Sequence, residues 1–267
     1  MTMRNTIRRA VVTGASSGIG EALAWELARR GATVEIVARR KTRLEKLADA
    51  IHARGLPRPI VRVADLLNEV DLATLEGTWS ESPPDLFVNN AGVGMNRPFL
   101  SSDLESMERL ITLDLEVPMR LSRTVGGAMV ERGWGAILNV ASIAAFFPTP
   151  CHAVYSAAKT ALLLFSESLD LELRPSGVTV TTLCPGLTNT EFFEAGDYLT
   201  DSLVYRMSRD DPKDVARAGI KGLLKGRVVV VPGIKLKVLL ALQRLIPHRW
   251  LVAAAGKAMC TESHRGL

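Results

Sequence analysis

Short apolar runs rich in β-branched residues alternate along this chain with stretches patterned as helices, and that alternation restricts the fold more than any other feature. The runs are "AVVTG" at 10–14, "ATVEIVA" at 32–38, "PIVRVAD" at 59–65, "DLFVNNAG" at 85–92, "GAILNVAS" at 135–142, "GVTVTTLCPG" at 177–186 and "RVVVVPG" at 227–233. Between them lie "GEALAWELARRG", closed by Gly31 as a helix C-cap, and "KTRLEKLADAIHARG" at 41–55, closed by Gly55. A long helix is expected around 102–131 and another from about 152 to 173; in "DDPKDVARAGIKGLLKG" Asp211 reads as an N-cap and Pro212 as the first helical residue. Helices of this length between strands require crossover connections, hence a parallel sheet covered on both faces. Several runs are apolar nearly throughout, as strands buried on both sides must be. The expected fold is α/β, a single doubly wound domain over 1–267 with no repeat and no linker. Ligands of such a sheet sit outside the carboxyl ends of its strands.

The residues just past those ends are therefore the candidates. After the first run, Gly14, Gly18 and Gly20 in "TGASSGIG" allow a tight turn and let a phosphate approach the backbone at a helix N-terminus, which points to a nucleotide. After the second come Arg39 and Arg40, whose planar forks suit a 2′-phosphate and hence NADP. The competing residue is Glu35, an acid that could hold both ribose hydroxyls of NAD, although it lies inside the strand. Asp65 follows the third run, either as acceptor for an adenine amino group or as the start of a turn. Asn89, Asn90, Ala91 and Gly92 end the fourth, where the two asparagines could hold the cofactor or simply form a turn. Ser142 ends the fifth; Tyr155 comes thirteen residues later and Lys159 four after that. Four residues apart on a helix means one shared face. "PGLTNT", Pro185 to Thr190, ends the sixth.

Composition removes other classes. Net charge is +5, but no dense Lys/Arg run carries interleaved aromatics, and aromatics are 5% of residues, which argues against nucleic acid. Cys151, Cys184 and Cys260 form no C-x-x-C and the four histidines are scattered, so neither a disulfide framework nor a catalytic metal is expected, and a reducing cytoplasm is the default. The N-terminus lacks the apolar centre of a signal peptide. The most apolar stretch, 228–258, is broken by Lys235, Lys237, Arg244, His248 and Arg249 and does not read as a membrane span.

Taken together, "TGASSGIG", "NNAG", Ser142, "YSAAK" and "PGLTNT", in this order and spacing, resemble the short-chain dehydrogenase/reductase family over about residues 8–233. The resemblance implies a Rossmann-type fold and a set of roles. Tyr155 would be the general acid in ketone reduction and the base in alcohol oxidation, with Lys159 and the oxidised nicotinamide favouring its phenolate and Ser142 hydrogen-bonding the carbonyl oxygen. Lys159 would also hold the nicotinamide ribose. The Gly14 loop, with Ser16, Ser17, Gly18, Ile19 and Gly20, would take the pyrophosphate and adenosine ribose, and Arg39, helped by Ser17 or Arg40, the 2′-phosphate. Asp65 and Leu66 would flank the adenine, and Asn90, Ala91 and Gly92 would line the cofactor. Pro185, Gly186, Leu187 and Thr188 would run beside the nicotinamide, and Thr190 would contact its carboxamide.

One position departs from the family pattern. In "ITLDLEVPMRLS", Asp114 stands where an asparagine is usual, a residue that supports a water chain from the active-site lysine largely through its main-chain carbonyl. Aspartate has the same shape, so that role could survive. Its charge would either partly cancel the pull of Lys159 on Tyr155 or be neutralised locally and change little. The expected activity is that of an NADPH-dependent carbonyl reductase, reversible as an alcohol dehydrogenase, on a hydrophobic ketone or secondary alcohol such as a 3-oxoacyl or steroid-like compound. The alternatives are an NAD-linked alcohol dehydrogenase and a nucleotide-sensing or scaffold protein without turnover. Residues 190–210 read as an apolar lid, and 234–267 as a helical extension that packs on the body or a second subunit, extends the pocket, or lies on a membrane surface. Helices 102–131 and 152–173 commonly pair across a two-fold axis in this family, which implies a homodimer or homotetramer.

Overall fold

The structure is a computed structural model that describes residues 7–188 and 210–243, together with 250 and 252. The chain runs β1 (Arg9–Thr13), α1 (Gly18–Arg29), β2 (Thr33–Ala38), α2 (Lys41–His52), β3 (Ile60–Val63), α3 (Glu69–Glu81) and β4 (Leu86–Asn89). It continues through α4 (Leu104–Ile111), α5 (Val117–Arg132), β5 (Gly135–Val140), α6 (Ala153–Leu173), β6 (Val178–Leu183), α7 (Pro212–Leu224), β7 (Val229–Val230) and α8 (Ile234–Gln243). The strands form one sheet of order β3-β2-β1-β4-β5-β6-β7, parallel throughout. This is the Rossmann-type, doubly wound arrangement. The order reverses between β1 and β4, and the crevice at that reversal is where such sheets bind ligands.

Side-chain alternation along the strands builds the two layers. Val12, Ile36, Leu86 and Leu138 face α1, α2 and α7, packing with Leu23, Leu27, Leu44, Ile51 and Ile220. Val11, Val37, Phe87 and Ile137 face the other way, onto Leu72 and Trp79 of α3 and Leu121 and Met129 of α5. Each such fully buried side chain stabilises the fold by about 1.5–3 kcal/mol. In the second layer Trp79 meets Phe87 edge to face at 4.9 Å.

Three expectations change. The long helix around 102–131 is two helices, α4 and α5, joined by a π-turn at Thr112–Glu116. Pro118 has no N–H to donate to the carbonyl four residues back, which is that of Asp114, so a regular α-helix cannot continue through this point. The strand expected at 59–65 is confined to Ile60–Val63 at the sheet edge, and the last strand to Val229–Val230. The proposed lid 190–210 lies outside the described residues except for Asp210, which bridges to Thr188 and donates its N–H to the Leu187 carbonyl at 2.8 Å. Of the extension, α8 packs Leu236 and Leu240 against Cys184, Leu162, Leu163 and Val231, and leaves Ile234, Val238 and Leu242 exposed. The rest of 234–267, save 250 and 252, is outside the described residues. Among the described residues no helix is long and apolar enough to cross a membrane.

Candidate active site

A cavity of about 410 Å³ opens at the carboxyl ends of the strands. Its first wall is the turn between β1 and α1. Gly14 has φ +66°, and a Cβ on it would lie 2.7 Å from the Ala91 Cα, so the turn and the segment after β4 are in backbone contact. Asn90 fastens them by donating its side-chain amide to the carbonyls of Thr13 at 2.9 Å and Gly14 at 3.3 Å. Helix α1 begins here, and its N-cap Ser17 makes no side-chain cap bond. By contrast, Asn68, Asp103 and Asp211 cap α3, α4 and α7 with side-chain oxygens. The first N–H groups of α1 are thus left to an external anion, which fits a nucleotide pyrophosphate.

The Ser17 hydroxyl is turned to Arg40. The Arg40 guanidinium donates to Ser16 Oγ at 3.0 and 2.8 Å and to Ser17 Oγ at 2.7 Å, so one arginine is held flat against the glycine turn. Arg39 sits beside Asp65 at 3.6 Å, and both line the cavity. These residues fit a phosphate-bearing adenosine. Glu35 does not line the cavity: its carboxylate is inside the sheet, accepts from Trp79 Nε1 at 2.9 Å and lies 3.4 Å from Arg62 Nε. A methyl group added at Gly20 would collide with the Asn90 amide and the Gly14 carbonyl. Gly20→Ala is expected to weaken nucleotide binding at least tenfold and to lower the melting temperature, as followed by fluorescence titration and thermal unfolding.

The second wall holds Ser142, Tyr155 and Lys159, while Asp114, expected among the site residues, does not line the cavity and lies fully buried behind Lys159. Ser142 leaves β5 and accepts the Ala144 N–H at 3.1 Å, which orients its hydroxyl. Tyr155 and Lys159 share one face of α6, with Lys159 Nζ 5.8 Å from the Tyr155 ring centre. Ser142 stands close enough to the Tyr155 hydroxyl to favour its ionised form. Lys159 Nζ donates to the Val140 carbonyl at 3.1 Å and lies 3.1 Å from Asp114 Oδ2. The π-turn points Asp114 inward, where it is fully buried and its Oδ1 accepts the Val93 N–H at 2.8 Å.

Burial pushes the Tyr155 phenol above its ordinary range, Lys159 pulls it down, Asp114 raises it and Ser142 lowers it; the net direction is up. Burial also lifts the Asp114 carboxyl, against Lys159 and the Val93 N–H, which favour its ionised form. Lys159 is disfavoured by burial but held as an ammonium by Asp114. The Cys184 thiol nearby is pushed up to about 12 by burial, and the buried His152 imidazole falls below its ordinary value for the same reason.

Most of the residues singled out from the sequence meet in this cavity. Gly14, Ser16, Ser17, Gly18, Ile19 and Gly20 line it with Arg39, Arg40, Asp65 and Leu66, and so do Asn90, Ala91 and Gly92. Ser142, Tyr155, Lys159, Pro185, Gly186, Leu187 and Thr188 complete it. Thr190 lies outside the described residues. Asn89 departs from expectation: its amide donates into the core, to Asn139 Oδ1 at 2.8 Å and Ser122 Oγ at 3.2 Å, because its position in β4 points between α5 and β5. Sequence reasoning missed Thr13, whose Oγ1 accepts the N–H groups of Asn90 and Ala91 at 2.9 and 3.0 Å and so shapes the turn. It also missed Val93, Phe147, Thr149 and His152, which line the same cavity.

Comparison with known proteins agrees with this geometry. Residues 8–197 match the family described as short chain dehydrogenase. The ketoacyl reductase HetN of Nostoc sp. is 30% identical over 220 residues, 82% of this chain and 76% of that protein. A short-chain dehydrogenase from Sphingobium yanoikuyae, solved in complex with NADPH, superposes with a TM-score of 0.81 at 31% identity over 90% of this chain and 94% of that one. The bulky-bulky ketone specific alcohol dehydrogenase from Comamonas testosteroni gives 0.76 at 29% identity, covering 97% and 99%.

Proposed function

We propose, from the premise that this chain belongs to the short-chain dehydrogenase family, that it is an NADPH-dependent carbonyl reductase, reversible as an alcohol dehydrogenase, for hydrophobic ketones. The observation that carries the reading is the convergence of Ser142, Tyr155 and Lys159 on one cavity whose far end presents Arg40 and the uncapped start of α1. The named activities of the Nostoc and Comamonas relatives support a ketone, and the Sphingobium complex supports NADPH.

When bound, the nicotinamide would supply a hydride to the carbonyl carbon. The rest falls to the chain. Tyr155 gives its phenolic proton to the carbonyl oxygen, and Ser142 donates a hydrogen bond to that oxygen as negative charge grows there. Lys159, anchored on the Val140 carbonyl, holds the ribose hydroxyls and steadies the phenolate left on Tyr155. Val93, Phe147 and Leu187 supply apolar surface around the cavity, suited to a lipophilic ketone of 3-oxoacyl or steroid-like character. Arg40, on Ser16 and Ser17, would take the 2′-phosphate with Arg39 beside it. The Glu35 carboxylate that an NAD site would need is engaged by Trp79 instead.

Fluorescence titration tests the cofactor. Arg40→Ala is expected to weaken NADPH about tenfold to a hundredfold and to leave NADH unchanged, as loss of a charged hydrogen bond worth about 1.5–3 kcal/mol requires. Clearly tighter NADH binding by the parent chain would refute the NADP assignment. A cytoplasmic homodimer or homotetramer goes with this reading, supported by exposed Leu164 and Leu171 on α6 and Met119 on α5.

A further inference from the structure

We infer that Asp114 sets the direction of this site: as a buried carboxylate against Lys159 it cancels the charge that would draw the proton off Tyr155, so the chain reduces carbonyls at neutral pH and oxidises alcohols only in alkali. The inference rests on the proposed roles of Tyr155 and Lys159 and deepens them.

The geometry is that of a built pair. Asp114 is 0% exposed and Lys159 4%, with Oδ2 and Nζ 3.1 Å apart. The other carboxylate oxygen is fixed by the Val93 N–H. Room for the group exists because residue 92 is glycine: a Cβ there would lie 2.9 Å from Asp114 Oδ2. Lys159 thus spends one N–H on the Val140 carbonyl and brings its charge to within 3.1 Å of Asp114 Oδ2, which among the described residues accepts no hydrogen bond.

The groups acting on Tyr155 come from every side. Lys159 shares its helix, Asp114 projects from the π-turn, Ser142 follows β5 and Cys184 follows β6, with Glu167 acting in turn on Cys184; His152 lines the same cavity. Ser142 is neutral, the His152 imidazole is uncharged because burial disfavours its cation, and the Cys184 thiol stays protonated. Among the described residues, Lys159 and Asp114 are therefore the charges that count. Wherever their shared proton sits, ammonium with carboxylate or amine with carboxyl, the pair sums to zero. A carboxamide at 114 would leave a full positive charge beside the phenol.

The consequence has a definite sign. In reduction the carbonyl carbon gains a hydride from NADPH, the carbonyl oxygen gains the Tyr155 proton, and Tyr155 is left as phenolate to be reprotonated from water. Oxidation runs this backwards and needs the phenolate first. Reduction therefore falls, and oxidation rises, as pH climbs through the Tyr155 titration. Burial and Asp114 both move that titration up.

The test is Asp114→Asn, which keeps an oxygen for the Val93 N–H. Without cofactor, the ultraviolet tyrosinate signal of Tyr155 is isolated as the difference between each protein and its Tyr155→Phe counterpart. Its midpoint is expected above about 10 in the parent, the ordinary phenol value. In Asp114→Asn it is expected to fall by about 1–3 pH units, the effect of exposing a phenol to one uncancelled neighbouring charge. The pH–rate curves for both directions should move down together, raising oxidation at neutral pH at least tenfold. Superimposable titrations and superimposable rate curves overturn the inference. Should Asp114→Asn not fold, the parent titration alone decides: a midpoint near neutral overturns it. Turnover insensitive to Tyr155→Phe refutes the proposed function instead, so the two failures are distinct.

Discussion

Tyr155→Phe is expected to lower kcat for ketone reduction by about 10²–10⁴-fold, the usual worth of a positioned general acid, and to leave NADPH affinity nearly unchanged. The ring should stay where it is. Tyr155 is 7% exposed and packs with Leu110, Ala144 and Ala158, contacts that phenylalanine keeps. What is lost is one hydroxyl, its interaction with Ser142, and the proton that a carbonyl oxygen would receive. Because that proton moves only as the transition state is reached, kcat and kcat/KM should fall together while KM holds. A panel of hydrophobic ketones, with thermal unfolding as the folding control, provides the measurement. A variant that turns the panel over at the parent rate would remove Tyr155 from the chemistry.

The sequence revealed the position of this tyrosine better than its surroundings. The strand and helix alternation placed Ser142, Tyr155 and the glycine turn at one end of a sheet, since crossover connections admit little else. What it could not show was backbone. The acceptor for Lys159 is the Val140 carbonyl, an atom common to every residue and so invisible to a reading by side-chain type. Thr13 escaped notice for a related reason: a threonine ending a strand looks like strand, yet its hydroxyl organises the turn by accepting two N–H groups. Asn89 and Asn90 are neighbours of one type, and only the pleat sends one into the core and the other to the glycine turn. The break between α4 and α5 was written in Pro118, but its meaning lay four residues earlier, at the carbonyl that loses its donor. The family resemblance gave the 2′-phosphate to Arg39, with Arg40 as its helper. Contact with Ser16 and Ser17 separates them, leaving Arg39 to Asp65.

Lys159→Met is expected to cost about 3–5 kcal/mol of stability at pH 7 by urea unfolding, because it leaves a fully buried carboxylate without its counter-charge. Among the described residues nothing else of opposite charge faces Asp114: the forces on it are burial, Lys159 and the Val93 N–H. With Lys159 gone, burial raises the Asp114 carboxyl further above its unfolded value. A group raised on folding adds stability that is complete below its unfolded value and is lost as pH rises through its folded one. The gap between variant and parent should therefore narrow as pH falls from 7 toward 4 and the carboxyl takes up a proton. Adding Asp114→Asn should recover most of the loss at pH 7, because a neutral amide no longer requires a buried cation. The remainder, insensitive to pH, would report the Val140 carbonyl, which loses its donor in both variants. A loss that ignores pH and is not relieved by the second substitution would mean that Lys159 is held by packing rather than by charge. The ion pair would then have no part in stability, and Asp114 no electrostatic hold on the lysine beside Tyr155.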